Sequence, residues 1–297
     1  MSETTFGAQS TAEDVSADID LTGTTWLVTG CNSGIGKESA RVLALRGAQV
    51  LGAARTEGKA REALAELGIA ATPLECDLSS LASVRAAVNT VHATGARIDG
   101  ILANAGIMAL PRLEQQQGLE LQFFTNHVGH FALVTGLVDR LTDAARVVVV
   151  SSAAHRYAAK TGLELDNLAG TIDYDPWRMY GRSKLANILF ARTLASRFSA
   201  ARSARTAFSL HPGVIRTNLT RHIADAESLL APMKTSMKSI PQGAATSLYT
   251  ATRPGLEALS GSYFSDCAVA RTIPQGADNA LGEELWALTE RLLAERN

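Results

Sequence analysis

Tyr180 and Lys184 stand four residues apart in YGRSK (180–184), within a stretch whose periodicity predicts a helix over about 179–198. At that spacing the two side chains share a helix face. An ammonium ~4 Å from a phenol, at an effective dielectric of about 20, interacts with it by about 4 kcal/mol. That would carry a tyrosine from about 10 toward 7, where it can exchange a proton with a carbonyl or alcohol oxygen. Alone, the pattern is a common surface pair. Ser152 gives it company, because it ends the run RVVVVSS (146–152), where a hydroxyl could hold a substrate oxygen beside the phenol. Its neighbour Ser151 reads as a strand-end hydroxyl capping local backbone.

A second constellation is TGCNSGIG (29–36). Gly30 permits a tight turn, Gly34 lets backbone approach a pyrophosphate, and Gly36 lets a helix pack close to a strand. The helix that follows offers free N–H groups and partial positive charge to phosphates. Cofactor choice is written at the end of the next strand. An acid there accepts from the ribose hydroxyls of NAD, whereas a base pairs with the 2′-phosphate of NADP. GAQVLGAAR puts Ala54 where the acid would stand and Arg55 directly after it, which favours NADP.

The elements that must position these groups alternate. TWLVTG (25–30), QVLGAA (49–54), TPLEC (72–76), GILANAG (100–106), RVVVVSS and TAFSLHPG (206–213) read as strands. Helical patterns separate them at 35–46, 59–67, after the Ser79-Ser80 cap signal, at about 119–141 and at 179–198. Four consecutive valines suit a central strand covered on both faces. Strand–helix alternation of this kind predicts right-handed crossovers and one α/β domain, a Rossmann-type doubly wound parallel sheet of about seven strands. Residues 1–20 read as a polar N-terminal arm and 21–297 as the domain. Two long irregular segments, 153–177 and 218–241, follow strand ends and read as walls of a ligand pocket.

The spacing TGxxxGxG, with Asn104-Ala105-Gly106, Ser152 and Tyr180-Gly181-Arg182-Ser183-Lys184, resembles the short-chain dehydrogenase/reductase family from about residue 22 to the C-terminus. Within it, NHVGHF (126–131), VVVVSSAAH (147–155), YGRSKLANILF (180–190), HPGVIRTNLTRH (211–222) and LSGSYFSDC (259–267) are similar to the retinol dehydrogenase and WW-domain oxidoreductase branch. The resemblance implies a tetrad of Asn126, Ser152, Tyr180 and Lys184, and a pro-S hydride passing between nicotinamide and a carbonyl carbon. Tyr180 would protonate the oxygen, Ser152 would orient it, and Lys184 would also hold the nicotinamide ribose. Read from the residues alone, Asn126 is a mid-helix amide satisfied in the core; the resemblance gives it a water that links Lys184 to solvent.

The same resemblance puts Gly30, Asn32, Ser33, Gly34, Ile35, Gly36 and Arg55 around the cofactor. It adds Asp77 and Leu78 at adenine, and Asn104, Ala105 and Gly106 beneath the cofactor. Pro212, Gly213, Val214 and Thr217 fall against the carboxamide. Ser33 stands where some NADP-using relatives carry a base, so the preference rests on Arg55. His155 is a candidate substrate contact beside Ser152. Neither a membrane-anchoring N-terminal helix nor a WW domain is legible in residues 1–297, so the branch's membrane residence and partner binding are not expected to carry over. Family members pair through helices corresponding to 119–141 and 179–198, which implies a homodimer or homotetramer. Two other readings stay open: reduction of an activated C=C bond, as in the similar protochlorophyllide reductases, and a nonenzymatic NADP-binding sensor or scaffold.

Composition sets outer limits. Twenty-eight basic against 29 acidic residues give a net charge of −1, which offers no field for nucleic acid or an anionic membrane. Cys31, Cys76 and Cys267 are widely spaced and odd in number, so neither a disulfide framework nor structural zinc is expected. His127 and His130 share a helix side without the carboxylates or spacing of a metal site, and read as packing histidines. With no secretory signal and no apolar run of membrane length, a cytoplasmic enzyme is the expectation, acting on a carbonyl or alcohol of a sizeable, largely apolar small molecule.

Overall fold

Valine at every position from 147 to 150 demands cover on both faces of a strand, and the computed structural model supplies it. Val147 and Val149 enter one core with Phe131, Phe190 and Trp286; Val148 and Val150 enter another with Val42, Ala244 and Leu248. The structure describes residues 5–296 except 70, 159, 224, 226, 228–230, 232 and 233. The main sheet holds β1 (Thr25–Thr29), β2 (Gln49–Ala54), β3 (Ala71–Glu75), β4 (Ile98–Ala103), β7 (Leu141–Val150), β8 (Thr206–His211), β9 (Tyr263–Ser265) and β10 (Ala268–Val269). Its order is β10-β9-β8-β7-β4-β1-β2-β3, parallel except for β10. Strand order reverses between β1 and β4, which run parallel, so their C-terminal ends open the crevice in which such sheets bind ligands.

One face carries α1 (Ala12–Val15), α2 (Gly34–Leu45) and α8 (Ile240–Thr252). The other carries α4 (Leu81–Thr94), α6 (Gly129–Gly136), α7 (Pro176–Ala200) and α9 (Asn279–Glu295). The short α3 (Glu57–Glu66) follows β2. Among the described residues no helix is long and apolar enough to cross a membrane.

Three local features depart from expectation. The sheet has eight strands rather than about seven, because YFSDCAV turns back on itself through Asp266 and Cys267, both at positive φ (53° and 60°). The helix expected at 119–141 is shorter and interrupted. Leu119–Glu120 (β6) pairs with Gln115–Gln116 (β5), and the Glu120 carboxylate accepts from the N–H groups of Gln122 and Phe123, so the helix starts only there. It then runs as α5 (Leu121–Phe123), a π-helical turn (Phe124–Val128) and α6, and β7 begins already at Leu141. The polar arm, lastly, is tied down. Thr11 and Asp14 form a capping box on α1, and Ala12 and Val15 are wholly buried in the core they share with α8. Of the expected 218–241 wall, Asn218–His222 forms a 3₁₀ turn, and part of the remainder lies outside the described residues.

Candidate active site

A cavity of about 780 Å³ opens at the C-terminal edge of the sheet, from the glycine turn after β1 to Tyr180 on α7. At its first end Gly30 has φ +71° and Gly34 φ +53°, conformations that disfavour any side chain. Gly36 serves another purpose: a Cβ there would lie 2.3 Å from the Gly30 carbonyl oxygen and 2.5 Å from Asn104 Nδ2. The helix is thus pressed against the turn, as the sequence expects. Asn104 Nδ2 donates to Thr29 O (3.0 Å), while the N–H groups of Asn104 and Ala105 donate to Thr29 Oγ1 (2.9 and 3.0 Å). This clamps the ends of β1 and β4 together beneath the cavity. Ser33 precedes α2 without a side-chain cap, leaving the first N–H groups of the helix to an anion.

Asn32, Ile35, Arg55, Asp77, Leu78, Ala105, Gly106, Pro212, Gly213, Val214 and Thr217 all line the cavity with Ser33, Gly34 and Asn104. Cys31 is buried, its thiol pushed up to about 12 by desolvation, so it is a filler with no nucleophilic character.

At the other end Ser152, Tyr180 and Lys184 converge on the same wall. Pro176 at the first helical position and the Asp175 side chain, accepting from Arg178 N, start α7 a turn earlier than its apolar periodicity indicates. Ser151 Oγ donates to Lys184 O (2.7 Å), which ties that helix to the end of β7. Lys184 is buried, and its Nζ donates to Val150 O (2.9 Å). Two further donors of the ammonium therefore remain for a ligand or water.

The electrostatics differ from the simple pair expected. The ammonium lies 5.6 Å from the Tyr180 ring centre. Burial pushes the phenol above its ordinary value, with a hydrogen bond from Ser152 pulling the other way. The same burial brings Lys184 down to about 7. Desolvation disfavours both charged forms, so it overrides the lowering of the tyrosine that spacing alone suggests.

Asn126 and His155 stand one layer behind the cavity. The Asn126 amide is fully used: Oδ1 accepts from Ile107 N, and Nδ2 donates to Ile107 O and Ser183 Oγ, each at 2.9 Å. Its side chain is the satisfied core amide of the residue-level reading, with no donor left to hold a water. Its carbonyl accepts from His130 Nδ1 (3.0 Å), while His130 Nε2 meets Thr29 Oγ1 at 2.9 Å. Burial holds His130 neutral, near 4, so Nδ1 carries the proton and Nε2 accepts from the threonine. His155, expected at the substrate, is fully buried: Nδ1 bonds Ser152 O (2.7 Å) and Nε2 accepts from Ile273 N (3.3 Å). It orients the backbone of Ser152 and does not reach the cavity.

Met108 and Lys59 escaped the sequence reading, whereas Tyr157, Trp177, Leu219 and Arg221 belong to the two segments expected to wall the pocket, without being singled out there. Met108, Tyr157 and Trp177 add apolar surface to the cavity wall, as does Leu219, and Lys59 and Arg221 join Arg55 in lining it. Trp177 precedes Tyr180 by three residues on α7, a spacing that could have revealed it.

A cradle of positive-φ glycines, an uncapped helix start and an under-satisfied buried ammonium fits a dinucleotide, and the phenol, serine and lysine at its end are groups able to exchange a proton with a bound oxygen. The comparisons agree. A family model described as short chain dehydrogenase matches residues 24–163. A short-chain dehydrogenase TIC 32 B, chloroplastic, of Brassica napus is 38% identical over 97% of this chain and 94% of its own. Human retinol dehydrogenase 14 is 36% identical over 90% and 85%. A WW domain-containing oxidoreductase of Drosophila melanogaster is 37% identical over 98% and 73%. Among solved structures, an uncharacterized protein from Mycobacterium paratuberculosis superposes with a TM-score of 0.77 at 33% identity, covering 93% of this chain and 96% of that one. The chain belongs to the short-chain dehydrogenase/reductase family of oxidoreductases, in the branch similar to retinol dehydrogenases and WW domain-containing oxidoreductases.

Proposed function

We propose that the protein is an NADP(H)-dependent oxidoreductase acting on the carbonyl/alcohol group of a largely apolar small molecule. The observation that carries this reading is the convergence of Ser152, Tyr180 and Lys184 at one end of a cavity whose other end holds the glycine turn and Arg55. When bound, the nicotinamide supplies or accepts the hydride. The chain's own residues manage the proton and the geometry. The Ser152 hydroxyl donates to the substrate oxygen and fixes its place beside the phenol. Tyr180 gives that oxygen its proton in reduction and takes it back in oxidation. Burial keeps the phenol protonated, the form that carbonyl reduction needs. Lys184, with donors to spare, holds the ribose and offsets charge on the phenolate as it develops. Asn126 acts through others, fixing Ile107 on the wall and Ser183 next to the lysine. Met108, Tyr157 and Trp177 favour an apolar substrate.

NADP rather than NAD follows from Arg55, whose planar fork suits a phosphate, and from Ala54, where a ribose-binding acid would stand. Losing a hydrogen bond to a charged group costs about 1.5–3 kcal/mol, or roughly 10- to 150-fold in affinity. Ala54→Asp with Arg55→Ala is expected to weaken NADPH by at least that factor while NADH holds or improves. Titration of both cofactors checks it; wild-type protein binding NADH as tightly as NADPH contradicts the assignment.

A further inference from the structure

Arg55 has company that its own strand does not supply. Lys59 lies within the first turns of α3, and Arg221 comes from the 3₁₀ turn after β8, yet all three line one cavity. Among the described residues none of the three is paired with a carboxylate. Two neighbouring acids have other partners: Glu57 binds Arg61, and Asp77 Oδ1 accepts from Ser79 N and Oγ. Among the described residues Arg221 is oriented by a bond from Nη1 to Asn218 O at 2.9 Å, and its guanidinium carries further N–H groups that suit an anion. Its guanidinium is held below the ordinary arginine value by burial and by the charge of Arg55, so the two cations sit close enough to repel. An anion bound between such like charges at a cavity wall relieves their repulsion.

We propose that Arg221 is a binding residue for the 2′-phosphate of the adenosine ribose, sharing it with Arg55 and Lys59. The proposal rests on the NADP reading above and goes beyond it in bringing the loop after β8 to the cofactor's far end. The same turn begins at Thr217, whose side chain packs against the glycine turn: a Cβ on Gly34 would lie 3.0 Å from Thr217 Cγ2. Residues 217–221 therefore span from the pyrophosphate cradle to the phosphate seat, and phosphate binding fastens this wall of the substrate cavity.

Fluorescence titration of NADPH and NADH against wild type, Arg221→Gln and Arg221→Lys tests this, with thermal unfolding confirming that the exposed substitutions leave the fold intact. Arg221→Gln is expected to weaken NADPH about tenfold, leave NADH within about twofold, and be partly rescued in Arg221→Lys. Equal weakening of both cofactors would place Arg221 on the pyrophosphate, and no change in either would place it in solvent; each result overturns the proposal. A wild type without NADPH preference would instead remove the NADP reading beneath it, and the two failures are told apart by the wild-type curves alone.

Discussion

Lys184 is where folding and function pull hardest against each other. Its ammonium is buried with one protein acceptor, and burial lowers its pKa from 10.5 to about 7. Because the folded value lies below the unfolded one, the unfolded chain binds more protons between pH 7 and 10.5. The group therefore destabilises the fold fully below about pH 7, and that penalty fades as pH rises toward 10.5. Lys184→Met is expected to raise the Tm of the cofactor-free protein at pH 6.5, by an amount equivalent to roughly 3–5 kcal/mol, and to lose this advantage near pH 10. Calorimetry across that range checks it; a variant less stable than wild type at pH 6.5 would show the ammonium to be well solvated. The same variant should lose both turnover and NADPH affinity. Residue identities here were legible in sequence, since Tyr180, Ser152 and Lys184 fall together as their motifs require. The direction of the tyrosine's shift was not, because spacing reports the neighbouring charge and says nothing of the desolvation around both groups. His155 was misplaced for a related reason: nearness in sequence to Ser152 does not say which way a ring points.

At the scale of elements, two helix starts carry the site. The first is α2, held against the turn after β1 by the absent side chain of Gly36. Gly36→Ala puts a methyl 2.3 Å from a carbonyl oxygen that has no room to yield. The expected result is a loss of about 1–3 kcal/mol in stability and at least tenfold weaker NADPH binding, as the helix start moves off the phosphate. Denaturant unfolding and cofactor titration read the two effects, and normal NADPH affinity would show that the helix need not sit so close. The second is the interrupted helix from α5 to α6. Its π-helical turn carries Asn126, and His130 one turn on bonds both the Asn126 carbonyl and Thr29. Such turns recur at functional sites. Sequence periodicity could not locate it, because FFTNHVGHF is apolar enough to satisfy α and π registers alike. It could not locate the helix start either, since the capping group is the buried Glu120 rather than one of the usual short polar residues.

At the scale of the whole molecule, one main sheet carries an apolar core on each face, and strand–helix alternation was enough to foresee that. What escaped was the edge. The strand pair at Tyr263–Val269 and the helix Ala12–Val15 depend on tertiary contacts that a short, weakly patterned segment does not announce. Val15 is completely buried against the α8 side of the sheet, so Val15→Asp should cost about 2–4 kcal/mol and lower the Tm of the entire domain in one transition. An unchanged Tm would mean that the N-terminal residues lie free of the core. These layers present a cavity in which, in the proposed reaction, the Tyr180 phenol transfers a proton while NADPH is consumed. The most direct test follows NADPH absorbance for wild type and Tyr180→Phe against a panel of apolar aldehydes and ketones. Turnover by wild type, with at least ~10²-fold less by Tyr180→Phe at unchanged NADPH affinity, is the predicted result. Equal turnover by the two proteins would contradict it, as would a wild type that binds NADPH and oxidises it with no carbonyl in the panel.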